Sequence, residues 1–384
     1  MTEKLYYIDS HMYTFTATVL SCAPSGKRFA VTLDKTAFFP EGGGQTADTG
    51  ILGGVRVLDV QEKDDIIIHY TDAPLTVGDC VEGTIDDAIR FRKMQNHTGE
   101  HIVSGVVHSM FGYDNVGFHL GNGDMTVDYN GTLTREQLDE VERLSNKAVY
   151  DNLEVRAEFP EPSLLSAMEY RSKLELTENV RIVTIGDVDC CACCAPHVSK
   201  TGEVGCIKLL DFENYKGGIR LHMLCGEDAM EAFRCKYANI LRISNLLRVP
   251  QPETADAVEQ LQEKLKNKEY ELTGLRKSLA ESALHGAHVF GTTACFFANA
   301  QCDSDSLRHA VNIGTERFDI CAAFLPTGNG GYRYCIGSQN TDLRPLAKEI
   351  GTALFGRGGG QPTMIQGTVG AEQEEILSFF QNRA

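Results

Sequence analysis

No run of apolar residues in this chain approaches the roughly 20 needed to span a bilayer, so a helical membrane span is not expected. The opening stretch, Met1-Thr2-Glu3-Lys4-Leu5-Tyr6, lacks the basic and then apolar layout of an export signal. Disulfides are therefore not expected, and the 13 cysteines are read as thiols or metal ligands of a cytoplasmic protein. Positive charge is scarce as well: 36 Lys and Arg against 53 Asp and Glu leave a net charge of -17. That balance excludes a protein that coats nucleic acid through bulk charge. A nucleic-acid substrate then requires a local basic patch acting against the overall field, with salt-sensitive binding.

What is present suits a globular protein of several domains: 384 residues, of which 42% are hydrophobic and 23% charged. Short alternating runs at Thr14–Leu20, Arg28–Leu33, Val55–Val60 and Ile66–Tyr70, punctuated by Gly, Pro and Asp, predict a small β-barrel over residues 1–88. From Asp86 the period becomes helical and runs through Ile89-Arg90-Phe91-Arg92-Lys93-Met94-Gln95-Asn96. A strand is predicted at Met125–Tyr129, and Thr134 with Gln137 three residues on reads as a helix start. This middle α/β domain covers residues 89–235. A helical connector over 236–285 carries Val258, Leu261, Leu265, Leu272, Leu275 and Leu279 at a and d spacing, with Lys268 breaking one step. The seam has two readings, a packed hairpin or the interface of a homodimer. A small α/β domain over 286–384 ends in the glycine-rich loop 356–362. The class expected is α+β.

His97 and His101 stand four apart, so on a helix both imidazoles point the same way and can share one ion. Cys193 and His197 repeat the spacing about ninety residues later, and Pro196 argues that a loop rather than a helix presents them. Three imidazoles and a thiolate suit zinc better than magnesium or calcium. The fourth ligand stays open at this level, because Cys194 is adjacent and Cys190 is near. His97-Thr98-Gly99-Glu100-His101 also reads as H-x-x-E-H, the pattern of a zinc peptidase in which Glu100 activates water. The plain alternative makes Glu100 a solvated helix residue. A third reading is a non-catalytic RNA-binding protein braced by zinc.

Four stretches in order resemble one family. They are Thr36 to Gly50 with its Gly42-Gly43-Gly44-Gln45 core, His97 to His101, Cys193 to Gly205, and Gly356 to Gly367. Together the chain resembles the freestanding alanyl-tRNA editing proteins in their long form, with a DHH-associated C-terminal domain, similar to the editing half of alanyl-tRNA synthetase. The resemblance implies hydrolysis of the ester joining a wrong amino acid, serine or glycine, to the tRNA for alanine. It implies Zn2+ held by His97, His101, Cys193 and His197. Family members commonly carry Gly-Gly-Thr between the last two ligands, where this chain has Cys194-Ala195-Pro196. No stretch resembles the ATP-binding motifs of the synthetase, so editing without charging is expected.

Thr36, Gly42, Gly43, Gly44 and Gln45 are the candidate substrate-binding residues, the bare glycines allowing close approach of a ligand and Thr36 reading serine's hydroxyl. Arg92, Lys93, Lys216, Arg220 and Arg357 are the candidate contacts to tRNA phosphates, and Glu100 is the candidate catalytic base. Arg357 does not belong to a P-loop, since the required Gly-Lys-Ser/Thr ending is absent.

Overall fold

Alternating side chains over Thr14–Ser25 (β1) and Arg28–Leu33 (β2) turn Phe15, Ala17, Val19, Val31 and Leu33 to one buried face. The computed structural model describes residues 1–121, 125–172, 180–328 and 330–383. Gly50–Leu52 (β3), Val55–Lys63 (β4), Ile66–Thr71 (β5) and Cys80–Ile85 (β6) join the first two strands in the order β1-β2-β5-β4-β3-β6. Strand β6 pairs back onto β1, which closes the ring and leaves no free edge. The chain as a whole is a mixed α+β protein of two units, Met1–Asn239 and Ile240–Ala384. Among the described residues no helix is long and apolar enough to cross a membrane.

Helix α1 (Asp87–Phe111) follows the barrel and stops at Gly112, whose left-handed backbone lets its N–H reach the His108 carbonyl. Apolar Met94, Ile102, Val103 and Val107 are buried on it, yet so are Arg90, Lys93, Gln95, Asn96, His97, Thr98, Glu100, His101 and Ser104. Burying that many polar groups is costly unless each finds a partner. Arg90 lies fully buried beneath the barrel, where its guanidinium pairs with Asp48 and donates to the carbonyls of Ala37 (2.6 Å) and Ser10 (3.1 Å). Gln95 donates to the Glu203 carbonyl at 2.9 Å, and Asn96 to Asp228 at 2.6 Å.

Strands β7 (Asn115–Leu120), β8 (Met125–Tyr129), β12 (Ile207–Tyr215) and β13 (Gly218–Cys225) make an antiparallel sheet in the order β12-β13-β8-β7. Helix α2 (Arg135–Tyr150) shares its core with α1 through Leu138, Val141, Ile102 and Leu221. The helix start read from Thr134 and Gln137 is a full capping box: Gln137 N donates to Thr134 Oγ1 at 3.3 Å and Thr134 N to Gln137 Oε1 at 2.8 Å. Three further strands, β9 (Val155–Glu158), β10 (Ile182–Ile185) and β11 (Asp189–Ala192), pair in sequence order and lead into Cys193.

Helix α3 (Gly226–Leu247) carries the chain across the boundary of the first unit. In the second, α4 (Thr254–His285) enters a core only near its C-terminal end, at Ala280. The packed-hairpin reading of its seam is corrected here, because Val258, Leu261, Leu265, Leu272 and Leu275 all stay exposed. A six-stranded sheet is built from β14 (His288–Phe290), β15 (Thr293–Phe297), β16 (Ile320–Pro326), β17 (Tyr332–Gly337), β18 (Arg357–Gln361) and β19 (Met364–Val369), in the order β14-β15-β16-β17-β19-β18. Side chains of β16 alternate, Cys321 and Ala323 facing α5 (Ser304–Gly314) while Ala322 and Phe324 face α6 (Arg344–Ala353) and α7 (Gln373–Gln381). The glycine-rich segment expected as a loop is instead the exposed edge strand β18. Glycine is needed at Gly358, where a Cβ would come within 2.3 Å of the Gln366 carbonyl and the Tyr334 hydroxyl.

Replacing Asp48 by alanine leaves the Arg90 charge buried without its partner, and such a loss costs about 3–5 kcal/mol. Urea denaturation of Asp48→Ala followed by circular dichroism is expected to show that drop, while Asp48→Ala/Arg90→Met recovers part of it.

Candidate metal centre

One helical turn separates His97 from His101 on α1, and the loop after β11 brings Cys193 and His197 against them. The four ligand atoms lie within 4.8 Å of one another, and the three histidines are each only 3% exposed. Cys193 Sγ is 3.6 Å from His97 Nε2 and 3.4 Å from His197 Nε2. A tetrahedral ion bound at about 2.0–2.1 Å by nitrogen and about 2.3 Å by sulfur sets an N–S edge of about 3.5 Å. The donor set therefore fits a divalent cation in both chemistry and size. Cys190 and Cys194 lie outside this group.

Each imidazole turns its other nitrogen outward to a separate partner. His97 Nδ1 meets Gln45 Oε1 at 2.9 Å, His101 Nδ1 meets Asp189 Oδ2 at 3.0 Å, and His197 Nδ1 meets Thr98 Oγ1 at 3.0 Å. A carboxylate or amide oxygen accepts only, so Nδ1 of His97 and of His101 is the donor in each bond, and the Nε2 atoms are the ones turned inward. Thr98 also accepts the Val198 N–H at 3.3 Å, tying the loop to the helix. Asp189 is itself held by Arg171 through bonds of 2.7 and 2.9 Å. His101, Asp189 and Cys191 form a second close group, but the Arg171 guanidinium on Asp189 opposes a cation there, so it braces the first.

Electrostatics agree with the geometry. Burial pushes the Cys193 thiol up, but the three histidines around it outweigh that and hold it well below its ordinary value. Burial pushes His197 down to about 3, against the pull of Cys193. For His101 burial acts downward, yet the bonds to Asp189 and Cys193 prevail and raise it well above the ordinary value. An ion must therefore displace a proton shared by His101 and its partners.

The loop with the last two ligands is pinned despite its Ala195-Pro196 sequence. Arg181 donates to the carbonyls of Cys193 (3.0 Å) and Ala195 (2.8 Å), and its guanidinium lies 5.1 Å from the Tyr7 ring centroid. Ser10 donates to the His197 carbonyl at 2.7 Å, and Ala195 packs against Tyr6 and Phe39. The barrel thus reaches the centre twice. Its second contribution is Gly42-Gly43-Gly44-Gln45, a tight turn closed by reciprocal 3.0 Å bonds between Gly42 and Gln45. Gly43 and Gly44 take positive φ, and a Cβ on Gly44 would meet the Phe118 carbonyl at 2.4 Å. That approach lets the Gly44 carbonyl accept the Leu120 N–H at 2.8 Å and delivers Gln45 to His97. Gln45 Nε2 is buried without a partner among the described residues.

Several expected site residues stand elsewhere. Thr36 is fully buried, its hydroxyl bonded to His69 Nε2 (2.8 Å) and the Phe38 N–H (3.1 Å). Glu100 is not a solvated helix residue: it is 3% exposed, bonded to Ser104 and to Asn115 Nδ2 (2.6 Å), with Oε2 4.0 Å from His101 Nε2. Lys93 is buried and donates to the carbonyls of Thr46 and Ala47, so it braces the glycine turn instead of meeting phosphate. Arg92 is taken up by Asp228 and Glu231, and Arg220 by both oxygens of Asp128. Lys216 stays exposed beside Tyr215, and Arg357 is exposed on β18. Asp189, Thr98, Arg171 and Arg181 were missed by sequence reasoning. The one signal for them was an acidic residue four positions before Cys193 and a hydroxyl beside His97.

The class to which this centre points comes from family models. Residues 180–222, which contain β10, β11, Cys193 and His197, match the threonyl and alanyl tRNA synthetase second additional domain, and residues 7–89 match tRNA synthetases class II (A). Among individual relatives, the chain is 32% identical to the alanine--tRNA ligase of Natronomonas pharaonis across 95% of its own length and 42% of that protein. The ligase of Pyrococcus furiosus is 30% identical across 96% of this chain and 42% of the ligase. The chain thus spans less than half of these ligases. It is similar over nearly its whole length to the alanyl-tRNA editing protein AlaX-L of Pyrococcus horikoshii, at 28% identity across 98% of this chain and 97% of that one.

Loss of a carboxylate behind a metal-bound histidine weakens metal binding about 10–100-fold. Asp189→Asn is expected to shift zinc affinity by that amount in a chelator-competition titration, and Cys193→Ala to abolish stoichiometric binding. Unchanged affinity in both variants places the ion elsewhere.

Proposed function

We propose that this chain is a trans-acting hydrolase that removes a wrongly attached amino acid, serine or glycine, from the tRNA for alanine. The observation that carries the reading is the convergence of His97, His101, Cys193 and His197 beside the buried Gln45 amide nitrogen, which has no partner among the described residues, in a chain similar over 98% of its length to an alanyl-tRNA editing protein. In this reading the chain comprises a barrel over 1–88, an editing domain over 89–235, a connector over 236–285 and a C-terminal domain over 286–384, acting in the cytoplasm.

Zinc is the ion we assign to the four ligands, since thiolate and imidazole together favour it over harder cations. When bound it supplies a fixed positive charge that orients the amino acid. The remaining work falls to the chain's own groups. Gln45 Nε2 donates to the amino-acid end of the substrate, while its Oε1 stays on His97. Glu100, anchored by Asn115 and 4.0 Å from His101 Nε2, takes a proton from water as the water oxygen bonds to the ester carbonyl carbon, and returns it to the ribose oxygen of the tRNA as the acyl C–O bond breaks. The peptidase reading of H-x-x-E-H leaves Cys193 without a role, although its sulfur stands at a tetrahedral edge from two histidines.

With a net charge of -17, contact with tRNA depends on local sites. One is a hollow of about 540 Å³ in the second unit, lined by Arg344, Lys348 and Arg357 beside the bare backbone of Gly358–Gly360. Lys216 is the exposed cation we assign on the first unit.

Incubation of the zinc-loaded chain with alanine tRNA carrying serine or alanine tests the proposal. A site that hydrogen-bonds the serine hydroxyl rejects the analogue lacking it by about 10⁴-fold or more at best. Serine release at least a hundredfold faster than alanine release is expected, and equal rates, or no release of either, sink the reading.

A further inference from the structure

The ring of Phe118, on β7, lies against His97, with centroids 4.8 Å apart and planes tilted by 45°. Its edge also rests on the glycine turn, since a Cβ on Gly44 would come within 2.9 Å of Phe118 Cδ1. Strand alternation fixes this placement: Phe118 and Leu120 turn toward the core shared with α1, and His119 between them is exposed. The backbone is held from both sides. Phe118 stands opposite Val127 in the ladder with β8, and the Leu120 N–H donates to the Gly44 carbonyl at 2.8 Å. His97 is buried whereas Phe118 is half-buried, so the ring touches the ligand and still reaches the surface.

We infer that Phe118 is the wall that limits the size of the amino acid the site accepts, an inference that rests on the proposed editing function. An amino acid that meets the Gln45 amide has His97 on one side and the glycine turn on another, and the phenyl ring spans those two. The ring carries neither donor nor acceptor, so it gives a side-chain hydroxyl no preference. Close packing on His97 and Gly44 leaves it little room to yield, and packed interiors respond to a single added methylene. Glycine and serine are therefore admitted, and a branched side chain such as that of threonine is refused.

The two parts of selectivity then fall to different residues. The Gln45 amide nitrogen, without a partner among the described residues, pairs with a hydroxyl and so separates serine from alanine. It does not separate serine from threonine, because threonine carries the same hydroxyl and one methyl more. That distinction requires bulk, and Phe118 supplies it. A ring that only packed on His97 to steady the metal would act otherwise, and its loss would weaken zinc binding and slow every ester alike.

Alanine tRNA carrying glycine, serine or threonine, incubated with the zinc-loaded full chain, tests the inference. An apolar pocket discriminates one added methylene by about 10–200-fold, and the wild type is expected to release serine faster than threonine by a ratio in that range. Phe118→Ala is expected to shrink the ratio about tenfold or more through faster threonine release, and Phe118→Tyr to keep it. Phe118→Trp is expected to slow serine release more than glycine release. Zinc affinity by chelator competition is read on each variant. An unchanged ratio in Phe118→Ala overturns the inference, as does a joint fall of serine and threonine release with weaker zinc binding. A wild type that releases serine and threonine equally fast overturns it too and leaves the editing reading standing, whereas a wild type that releases neither serine nor glycine overturns both.

Discussion

The hydrogen bonds on the outer nitrogens of His97, His101 and His197 are the interactions on which the first unit depends. A metal-ligating imidazole has two nitrogens, and whichever is fixed by a neighbour decides what the other offers. Here the neighbours come from three places: the barrel turn gives Gln45, strand β11 gives Asp189, and α1 itself gives Thr98. Barrel, helix and cysteine loop are therefore held in register by the same groups that aim the ligands. Burial of α1 is eased by this arrangement, since His97, Thr98 and His101 on it are satisfied when all three elements are in place.

Local signals were readable without coordinates. The spacing of His97 and His101, the proline that bars a helix before His197, and the Thr134–Gln137 capping box each depend on a few neighbouring residues, and each reappears in the structure. The α+β class was legible for the same reason. Charged groups were not legible, because their fate depends on partners far away in sequence. Lys93 and Arg92 are adjacent, yet one is buried on the carbonyls of Thr46 and Ala47 while the other meets Asp228 and Glu231. Glu100 looked solvated because glutamate usually is, and the bonds from Asn115 and Ser104 help make its burial tolerable. Thr36 sits in a loop-like motif but is claimed by His69, a residue thirty-three positions on.

Glycine shows the same divide. The Gly42–Gly44 triplet announces close backbone approach, and Gly44 does lie against Phe118; what approaches is β7 of the same chain. The later glycines at 358–360 announce a loop but form an edge strand, where their missing side chains let β18 lie close to Tyr334 and β19. Glycine content reveals that something comes near. It does not reveal what.

A set of four ligands, with its imidazoles also bound from behind, gives up a ligand only at considerable cost. Releasing His97 from an ion strains Gln45, and releasing His101 disturbs Asp189 and Arg171. On the proposed reading this is the character of a closed site, in which a bound ion would keep a constant charge and selectivity would come from beside it. Beside it stand a buried amide whose oxygen meets His97 and whose nitrogen has no partner among the described residues, and a buried carboxylate 4.0 Å from His101. An amide nitrogen left unpaired in the interior is destabilising by about 1–3 kcal/mol. A polar substrate group that pairs with it recovers that loss, whereas a methyl group in the same place does not. On the proposed reading, that difference is what separates serine from alanine.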